Sequence, residues 1–583
     1  MAFVHEGWNH LQLQRPLAAW ASWQCALRMV PDFPAAVSAL ATLEQAAELP
    51  ATARATFRFK QPSSPDARTR WDQQFRGRDL TDLSDAAEAF ASLVAADSGD
   101  VSAWYNHALC VAWLGRNREA IASLDQVVHG LAASQQEDAV STWRLAEILR
   151  QGAGAESLSD DLRFAWTLDW NQEKTERLLA LGGCLQELPA PPAPEPSHAI
   201  VSDATLFEWL DRPVPSPDAP LGLNDLPRVM ASVIVTPRSL RLSSPTPESL
   251  EWIHDQLELA LAEVLSAIRR EATPLPLPLL DAAVWTIRQP AGLEPGEQAR
   301  LSREVVEHYY EDQWIHRPRQ GLAGLSPLEA SRRVRAGDHV LRAKLSAVIK
   351  VREELAERPR TSFLYQGYPF DRLRRRLGLA TEDPATTAVD DPSCMSEVDL
   401  AGLDPKTLTP EALAEAFRSA FALRDDRLAA RFATRLGASP QTVPPGLSSP
   451  DLYATLIRES MRVGDPEQAL QWIENAARHA REIDEKRTYG IWEAEIHVRT
   501  GNPVEAVRAY KTTATDTGMS PSQYLDAAED LLSHGYPEHA APFLDLMQEG
   551  PEIEIDRGIL ARKRDLVERL GMNYLDASNH DEL

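Results

Sequence analysis

Small and bulky apolar residues recur through the amino-terminal part of the chain at a nearly constant interval. An alanine followed four residues later by a large apolar side chain occurs at Ala19/Trp23, Ala53/Phe57, Ala86/Phe90 and Ala120/Leu124, in steps of 34, 33 and 34. A period between about 20 and 50 residues marks a stack of supersecondary units rather than a single core. Residues i and i+4 share one helix face, so each pair is expected to mesh one helix against its neighbour. The carboxyl-terminal third carries a sharper punctuation, G-x-P-x-x-A, at Gly464-x-Pro466-x-x-Ala469, Gly501-x-Pro503-x-x-Ala506 and Gly535-x-Pro537-x-x-Ala540, in steps of 37 and 34. Glycine accepts the left-handed backbone that ends a helix, and proline suits the first turn of the next, where its missing N–H is no loss. The alanine then lets the two helices approach closely.

The pattern predicts a further helical unit around 413–436 and a closing helix at 559–570, which a solenoid needs to cover its last apolar face. Between the arrays the periodicity changes. Residues 189–197 (PAPPAPEPS) and 212–220 (RPVPSPDAP) are Pro-rich and polar, the composition of an extended linker. Alternating β-branched residues on both sides of Pro237-Arg238, over 229–242, predict a short hairpin. Helices are expected at 247–270, 295–314 and 327–357, each opened by proline near its first turn. The resulting division is an amino-terminal array at 1–185, a Pro-rich linker at 186–224, a middle α+β module at 225–380, an acidic linker at 381–410 and a carboxyl-terminal array with its cap at 411–583. The predicted class is mainly α, with two α-solenoid arrays flanking a middle α+β module.

In the 34-position frame Trp104, Ala108, Gly115 and Ala120 fall at positions 4, 8, 15 and 20, and Pro31 at position 32. These residues resemble the tetratricopeptide repeat (TPR). That resemblance implies a helix-pair solenoid whose groove is lined by positions 2, 5, 9, 12 and 13 of the first helix, which here include Trp71, Phe75, Tyr105, Leu109 and Trp113. Asn106, at position 6, matches one residue of the family's carboxylate clamp, while Tyr105 and Leu109 stand where that pattern has Lys and Asn. Two readings of this aromatic strip remain open: it anchors a peptide or amphipathic helix of another protein, or it is filled by the protein's own linker or by array curvature. In the middle module, Trp314-x3-Pro318-x3-Leu322-x-Gly324-x-Ser326-Pro327-x-Glu329 resembles the toxin-binding domain of Xre/ParS-type antitoxins. The simpler reading of the same residues is a helical corner in which Gly324 turns, Ser326 caps and Trp314 packs in a core.

Composition narrows the function classes. The chain has 583 residues and a net charge of −26, with 86 acidic against 60 basic side chains, which disfavours a general nucleic-acid or anionic-membrane surface. Cys25, Cys110, Cys184 and Cys394 lie far apart, so neither a disulfide framework nor a thiolate zinc site is expected. No apolar run is long enough to span a bilayer, and the amino terminus lacks the pattern of a secretory signal. The terminal His580-Asp581-Glu582-Leu583 then reads as coincidence with a retention signal, and cytoplasm is expected. Arginine predominates over lysine and alanine and proline are abundant, the bias of high-GC bacterial genomes.

Candidate chemistry is sparse. No phosphate loop, dinucleotide fingerprint, zinc-protease or nucleophile-elbow motif is present, so no enzymatic activity and no cofactor are expected. His308, Asp312 and His316 sit at i, i+4 and i+8, a spacing that lines three potential metal ligands along one helix face. With Tyr309, Tyr310 and Trp314 between them, packed or surface histidines are the preferred reading, and no metal site is assigned. From Arg332 to Arg376 there are 13 basic and 5 acidic residues, a net of +8. Its densest cluster, Arg372, Arg374, Arg375 and Arg376 beside Tyr365 and Tyr368, is a candidate patch for an anionic partner, or else a helix face that compensates neighbouring acids. The expected function is a non-catalytic scaffold or adaptor that binds peptide or helical segments of another protein. The alternatives are a regulatory nucleic-acid- or toxin-associated protein acting through the middle module, and a metal-dependent enzyme.

Overall fold

The computed structural model describes residues 1–570 apart from 48, 63, 76–81, 132, 151–159, 161, 181–183, 189–203, 218–220, 262–267, 272–274, 277–286, 358–364, 366–367, 381–390, 439–443, 445–446, 448, 481 and 547–556. The chain forms two compact units, Met1–Thr387 and Ala388–Leu583.

The first unit opens with α1 (Ala2–Gln12), α2 (Pro16–Met29), α3 (Pro34–Gln45), α4 (Ala51–Arg54), α5 (Pro65–Phe75), α6 (Leu83–Ala96), α7 (Val101–Trp113), α8 (Asn117–Leu131) and α9 (Gln136–Arg150). Helices α1 to α3 pack in succession, as do α5 to α9, while α4 packs on α2 and α9, and α2 also packs on α7. Ala19, Ala86 and Ala120 are buried, and Trp23, Phe90 and Leu124 are fully so. Gly115 turns α7 into α8 at φ +76°, a conformation that a side chain disfavours.

One repeat departs from the frame. Ala53 was expected to open a full second helix, yet α4 ends at Arg54 and residues 55–62 run without helix. The short turn is held from the far side of the fold. Thr52 donates its N–H and its hydroxyl to the Glu354 carboxylate, at 2.8 and 2.7 Å, and Arg144 pairs with the same group. Ala53 then packs with Ile148, Val351 and Leu355.

After α9 comes a small antiparallel sheet. It comprises β1 (Leu162–Asp169), β2 (Leu185–Glu187), β3 (Thr205–Leu210), β4 (Val229–Val235), β5 (Ser239–Ser244), β6 (Arg269–Arg270) and β7 (Leu275–Pro276), with α10 (Gln172–Ala180) after β1 and α11 (Pro247–Leu261) after β5. The order is β2-β3-β4-β5-β1-β6, and β7 also pairs with β1. The expected hairpin is β4 and β5. Strands β2 and β3, however, lie in a stretch read as linker, and β1 in a stretch read as helical array. Alternation explains the pairing, because Ala231, Val233 and Val235 turn one face of β4 onto Trp166, Phe207 and Trp209 and onto Leu250, Ile253 and Leu257 of α11.

Helices α12 (Pro295–His308), α13 (Pro327–Arg335), α14 (His339–Ala356) and α15 (Phe370–Arg376) complete the unit. The expected helix over 327–357 is divided at Gly337, φ +102°, where Asp338 caps α14. Helix α14 packs on α9, so the helix pair that α9 begins is completed by a helix from beyond the sheet.

The second unit contains α16 (Glu397–Gly402), α17 (Pro410–Ala422), α18 (Asp426–Gly437), α19 (Ser449–Val463), α20 (Pro466–His479), α21 (Ile483–Arg499), α22 (Pro503–Thr517), α23 (Pro521–Ser533), α24 (Pro537–Leu546) and α25 (Arg557–Arg569). The three G-x-P-x-x-A signatures fall at the helix junctions. Gly464, Gly501 and Gly535 have φ of +82°, +80° and +84°, and α20, α22 and α24 each begin at the following proline. Ala469, Ala506 and Ala540 are fully buried. Leu566 and Val567 of α25 close the core, as expected of a cap. Of the acidic stretch at 381–410, residues 381–390 lie outside the described residues and α16 forms within the remainder.

Candidate functional site

The aromatic strip of the amino-terminal array is assembled, and it is occupied by the protein's own chain. Residues 55–62, which leave α4, pass along α7. Asn106, fully buried, accepts the Lys60 N–H through Oδ1 and donates Nδ2 to the Lys60 carbonyl, both at 2.8 Å. A planar amide thus satisfies both hydrogen-bonding groups of one backbone residue, as a neighbouring strand would. Ser102 Oγ donates to the Gln61 carbonyl at 3.1 Å. Side chains fix the register: Phe59 lies 5.3 Å from Phe90 and 5.4 Å from Trp113 between ring centroids, and the Lys60 ammonium sits 4.4 Å from the Tyr105 ring centre.

The remaining predicted positions surround this core. Trp71 and Phe75 pack on each other and on Phe90, at 5.3 and 4.8 Å from it, and Trp113 meets Trp20 at 5.9 Å. Leu109 is fully buried and Tyr105 nearly so, and burial pushes the Tyr105 phenol up to about 12. Of the two sequence readings, the geometry matches filling by the protein's own chain, though the occupant is residues 57–61 rather than a linker between domains.

A second groove lies in the carboxyl-terminal unit, across the first helices of two successive repeats. One wall is α19, with Ile457, Arg458, Met461 and Arg462. The other is α21, with Trp492, Glu495, Ile496 and Arg499, and the space between them is about 480 Å³. Counting Gly464 and Gly501 as position 15, Arg458 and Glu495 stand at position 9, Met461 at 12, and Arg462 and Arg499 at 13. Positions 9 and 13 are the groove positions that Leu109 and Trp113 hold in the first array, so the repeat register marks both grooves. The groove floor is apolar and its rim basic. Ile457 and Ile496 are buried and Met461 and Trp492 half-buried, while Arg458, Arg462 and Arg499 are exposed. Arg458 reaches Asp426 at 3.1 Å and Arg462 reaches Glu459 at 2.6 Å. Burial raises the Glu495 carboxyl above its ordinary range, and Asp530 adds to the effect.

The arginine cluster at 372–376 does not form an open cationic face. Arg372 reaches Glu311 at 3.1 Å, and Tyr368 donates its hydroxyl to the same carboxylate at 3.1 Å. Arg374 is buried against Asp371 and Glu353, and Arg376, 2% exposed, faces Asp312 at 3.7 Å. Arg375 is half-buried on the same short helix. Arg372 and Arg376 thus meet carboxylates that precede the basic stretch, Glu311 and Asp312, which a local charge count cannot show. Tyr365 and Tyr368 join Tyr310 and Phe370 in a packed aromatic group instead of offering stacking faces.

The i, i+4, i+8 line of His308, Asp312 and His316 is broken. Helix α12 stops at His308, residues 309–313 form a wider π turn, and 314–316 a tighter 3₁₀ turn. His308 Nδ1 meets Asp312 Oδ2 at 3.0 Å, and Asp312 also faces Arg376. Trp314 is fully buried, Gly324 turns at φ +81°, and Ser326 and Glu329 form a reciprocal cap of α13, which is the helical corner described above. Among the described residues, ligand atoms do converge within 4.8 Å at His254, Asp255 and Glu258 of α11, though two exposed acids beside a helix histidine make an ordinary ion-paired surface.

No helix among the described residues is long and apolar enough to cross a membrane. No protein-family model and no curated relative matches the chain. Among solved structures it is similar to the crystal structure of the P58(IPK) TPR domain, 12% identical over 87% of this chain and 98% of that one, with a TM-score of 0.17. It is also similar to a circular tandem repeat protein with novel repeat topology and enhanced subunit contact surfaces, 13% identical over 97% of this chain and 98% of that one, with a TM-score of 0.12. Superpositions at such scores carry no argument, and the fold class rests on the chain's own geometry: mainly helical, TPR-like helix-pair repeats with a small antiparallel sheet.

Proposed function

We propose that this protein is an interaction scaffold whose carboxyl-terminal array binds an acidic-apolar peptide segment of another protein. The observation that carries the reading is the groove between α19 and α21, an apolar floor with Trp492 at its edge and three arginines on its rim, in a chain of net charge −26. Apolar side chains of a bound segment would enter between Ile457, Met461 and Ile496, and its carboxylates would meet Arg458, Arg462 and Arg499. Aromatic and arginine side chains commonly dominate such interfaces. The exposed ion pairs already made by these arginines are worth little each, so exchanging them for a partner's carboxylates is a small penalty. The amino-terminal array has its inner face filled by residues 57–61, and a partner there would have to displace them.

A peptide array in which Asp/Glu and Leu/Phe contents are varied independently tests the proposal with purified full-length protein. Retention of acidic-apolar peptides, lost in Trp492→Ala and in Arg499→Glu but kept in Asn106→Ala, is expected. Retention that ignores charge, or that survives both groove substitutions, would remove the basis for this site.

A further inference from the structure

A third concavity, about 570 Å³, lies between the sheet and α12. Its size is that of small-molecule sites, which span about 300–1,000 Å³. Its lining is unusual for a protein this acidic. Four arginines line it, Arg163 from β1, Arg212 and Arg228 from the segment between β3 and β4, and Arg317 from the turn after α12, and no acidic residue lines it among the described residues.

The strand pairing explains how one end is built. Phe164 stands opposite Ser244, so Arg163 lies beside the end of β5, where Ser243, Ser244 and Thr246 also line the space. The first two are buried, and Thr246 N–H is 3.2 Å from Ser244 Oγ. Thr246 immediately precedes α11 and Ser249 lies in its first turn, so the positive end of a 15-residue helix adds to the same corner. Arg163 Nε is buried there with no hydrogen-bond partner. A buried guanidinium N–H without an acceptor is costly, and an anion in this corner would supply one.

Arg212 is held by Asp211, through Nε and Nη2 at 3.4 and 3.2 Å, and by the Asn224 carbonyl at 3.1 Å. Arg228 is exposed, and Arg317 lies over the Tyr309 ring at 5.5 Å, a contact that leaves its N–H groups to other acceptors. His308, at the rim, is engaged by Asp312. Between the charged ends the walls are apolar, formed by Leu226, Met230, Ile287 and Val305.

We infer that this cavity binds a phosphorylated small molecule with a flat apolar body, of mononucleotide size. Its phosphate sits at the corner of Arg163, Ser243, Ser244 and Thr246, and its body lies against Met230 and Val305. Oxygen acceptors satisfy several arginines at once, and arginine suits such multidentate recognition. The site is separate from the groove of α19 and α21, and neither reading depends on the other.

Calorimetric titration of the full-length protein at low ionic strength provides the test, with AMP, inorganic phosphate and uncharged adenosine as probes. AMP is expected to bind, phosphate at least tenfold more weakly, and adenosine without detectable heat. Arg228→Glu and Arg317→Glu alter exposed side chains and should each weaken AMP at least tenfold without moving the melting temperature. Arg163→Met should weaken AMP likewise without lowering the melting temperature, because it removes a buried N–H that has no acceptor. Absence of AMP binding at millimolar concentration, adenosine binding equal to AMP, or AMP binding unchanged in both exposed-arginine variants would overturn the inference.

Discussion

Replacing Asn106 by alanine isolates the clamp on residues 57–61. Its side chain makes two hydrogen bonds of 2.8 Å to the N–H and C=O of Lys60, and the Asn106 side chain itself is fully buried. A neutral intramolecular hydrogen bond contributes about 1 kcal/mol net, and a buried group left unsatisfied costs roughly 1–3 kcal/mol. Lys60 is half-buried, so water recovers part of that, and the local loss is about 2–4 kcal/mol. Phe59 keeps its contacts with Phe90 and Trp113, so the segment should loosen without the array unfolding. At about 1.4 kcal/mol per tenfold, protection of the Lys60 amide against hydrogen exchange should fall roughly 30- to 700-fold, while amides of α7 and α8 keep theirs. Asn106→Asp, which retains the acceptor but not the donor, should fall between the two. Unchanged protection at Lys60 in a folded Asn106→Ala variant would refute the clamp, and equal loss throughout α7 and α8 would show that Asn106 supports the fold and not the segment.

Three further outcomes are expected. Ala506→Leu should overpack the closest helix approach of its repeat, where Ala506 is fully buried, and destabilise the carboxyl-terminal unit by about 1–3 kcal/mol in urea titration; an unchanged transition would mean that the register is misplaced. Glu354→Ala removes the carboxylate shared by Thr52 and Arg144 and should cost about 2–4 kcal/mol, given that Arg144 retains some access to water; proteolysis near residues 51–60 reads it directly. Burial is the main cause that holds the His107 imidazole below its usual pKa of 6.5, with its Nδ1 2.9 Å from Ser123 Oγ. The unfolded chain therefore takes up the proton first, and the melting temperature of the first unit should decline as pH drops below about 6.5. His107→Gln should flatten that decline, and an equally steep profile would assign it to other groups.

What could be read from sequence follows from how local each determinant is. The glycine and proline at each repeat junction impose their backbone conformation on the spot, so Gly464, Gly501 and Gly535 placed the helix starts correctly. Small alanines at a fixed interval reported helix contacts for the same reason. The sheet was only half legible. The hairpin of β4 and β5 is continuous in sequence, but β1 pairs with β5 and β3 with β4 across insertions, and the alternation in RFAWTL and TLFEWL is too short to separate from its surroundings. Ala53 carried the repeat signal, yet its helix is a single turn, fixed at Thr52 by Glu354, 302 residues away. The arginines at 372–376 resembled a surface patch because the carboxylates that meet Arg372 and Arg376, Glu311 and Asp312, lie about 60 residues earlier. At the candidate sites, the first groove is legible but its occupant is not, the second stands at equivalent positions of the carboxyl-terminal repeats that the sequence reading does not reach, and the arginines of the sheet cavity come from separate segments that no motif connects.

The inner faces of the helix pairs are thus proposed to bind extended segments, one face filled by the protein itself and the other open to a partner. Hydrogen–deuterium exchange of the full-length protein, with and without an array-selected acidic-apolar peptide, tests it most directly. New protection is expected to be confined to 454–462 and 492–499, with residues 57–61 protected to the same degree in both states. Protection elsewhere with those two stretches unchanged would contradict it.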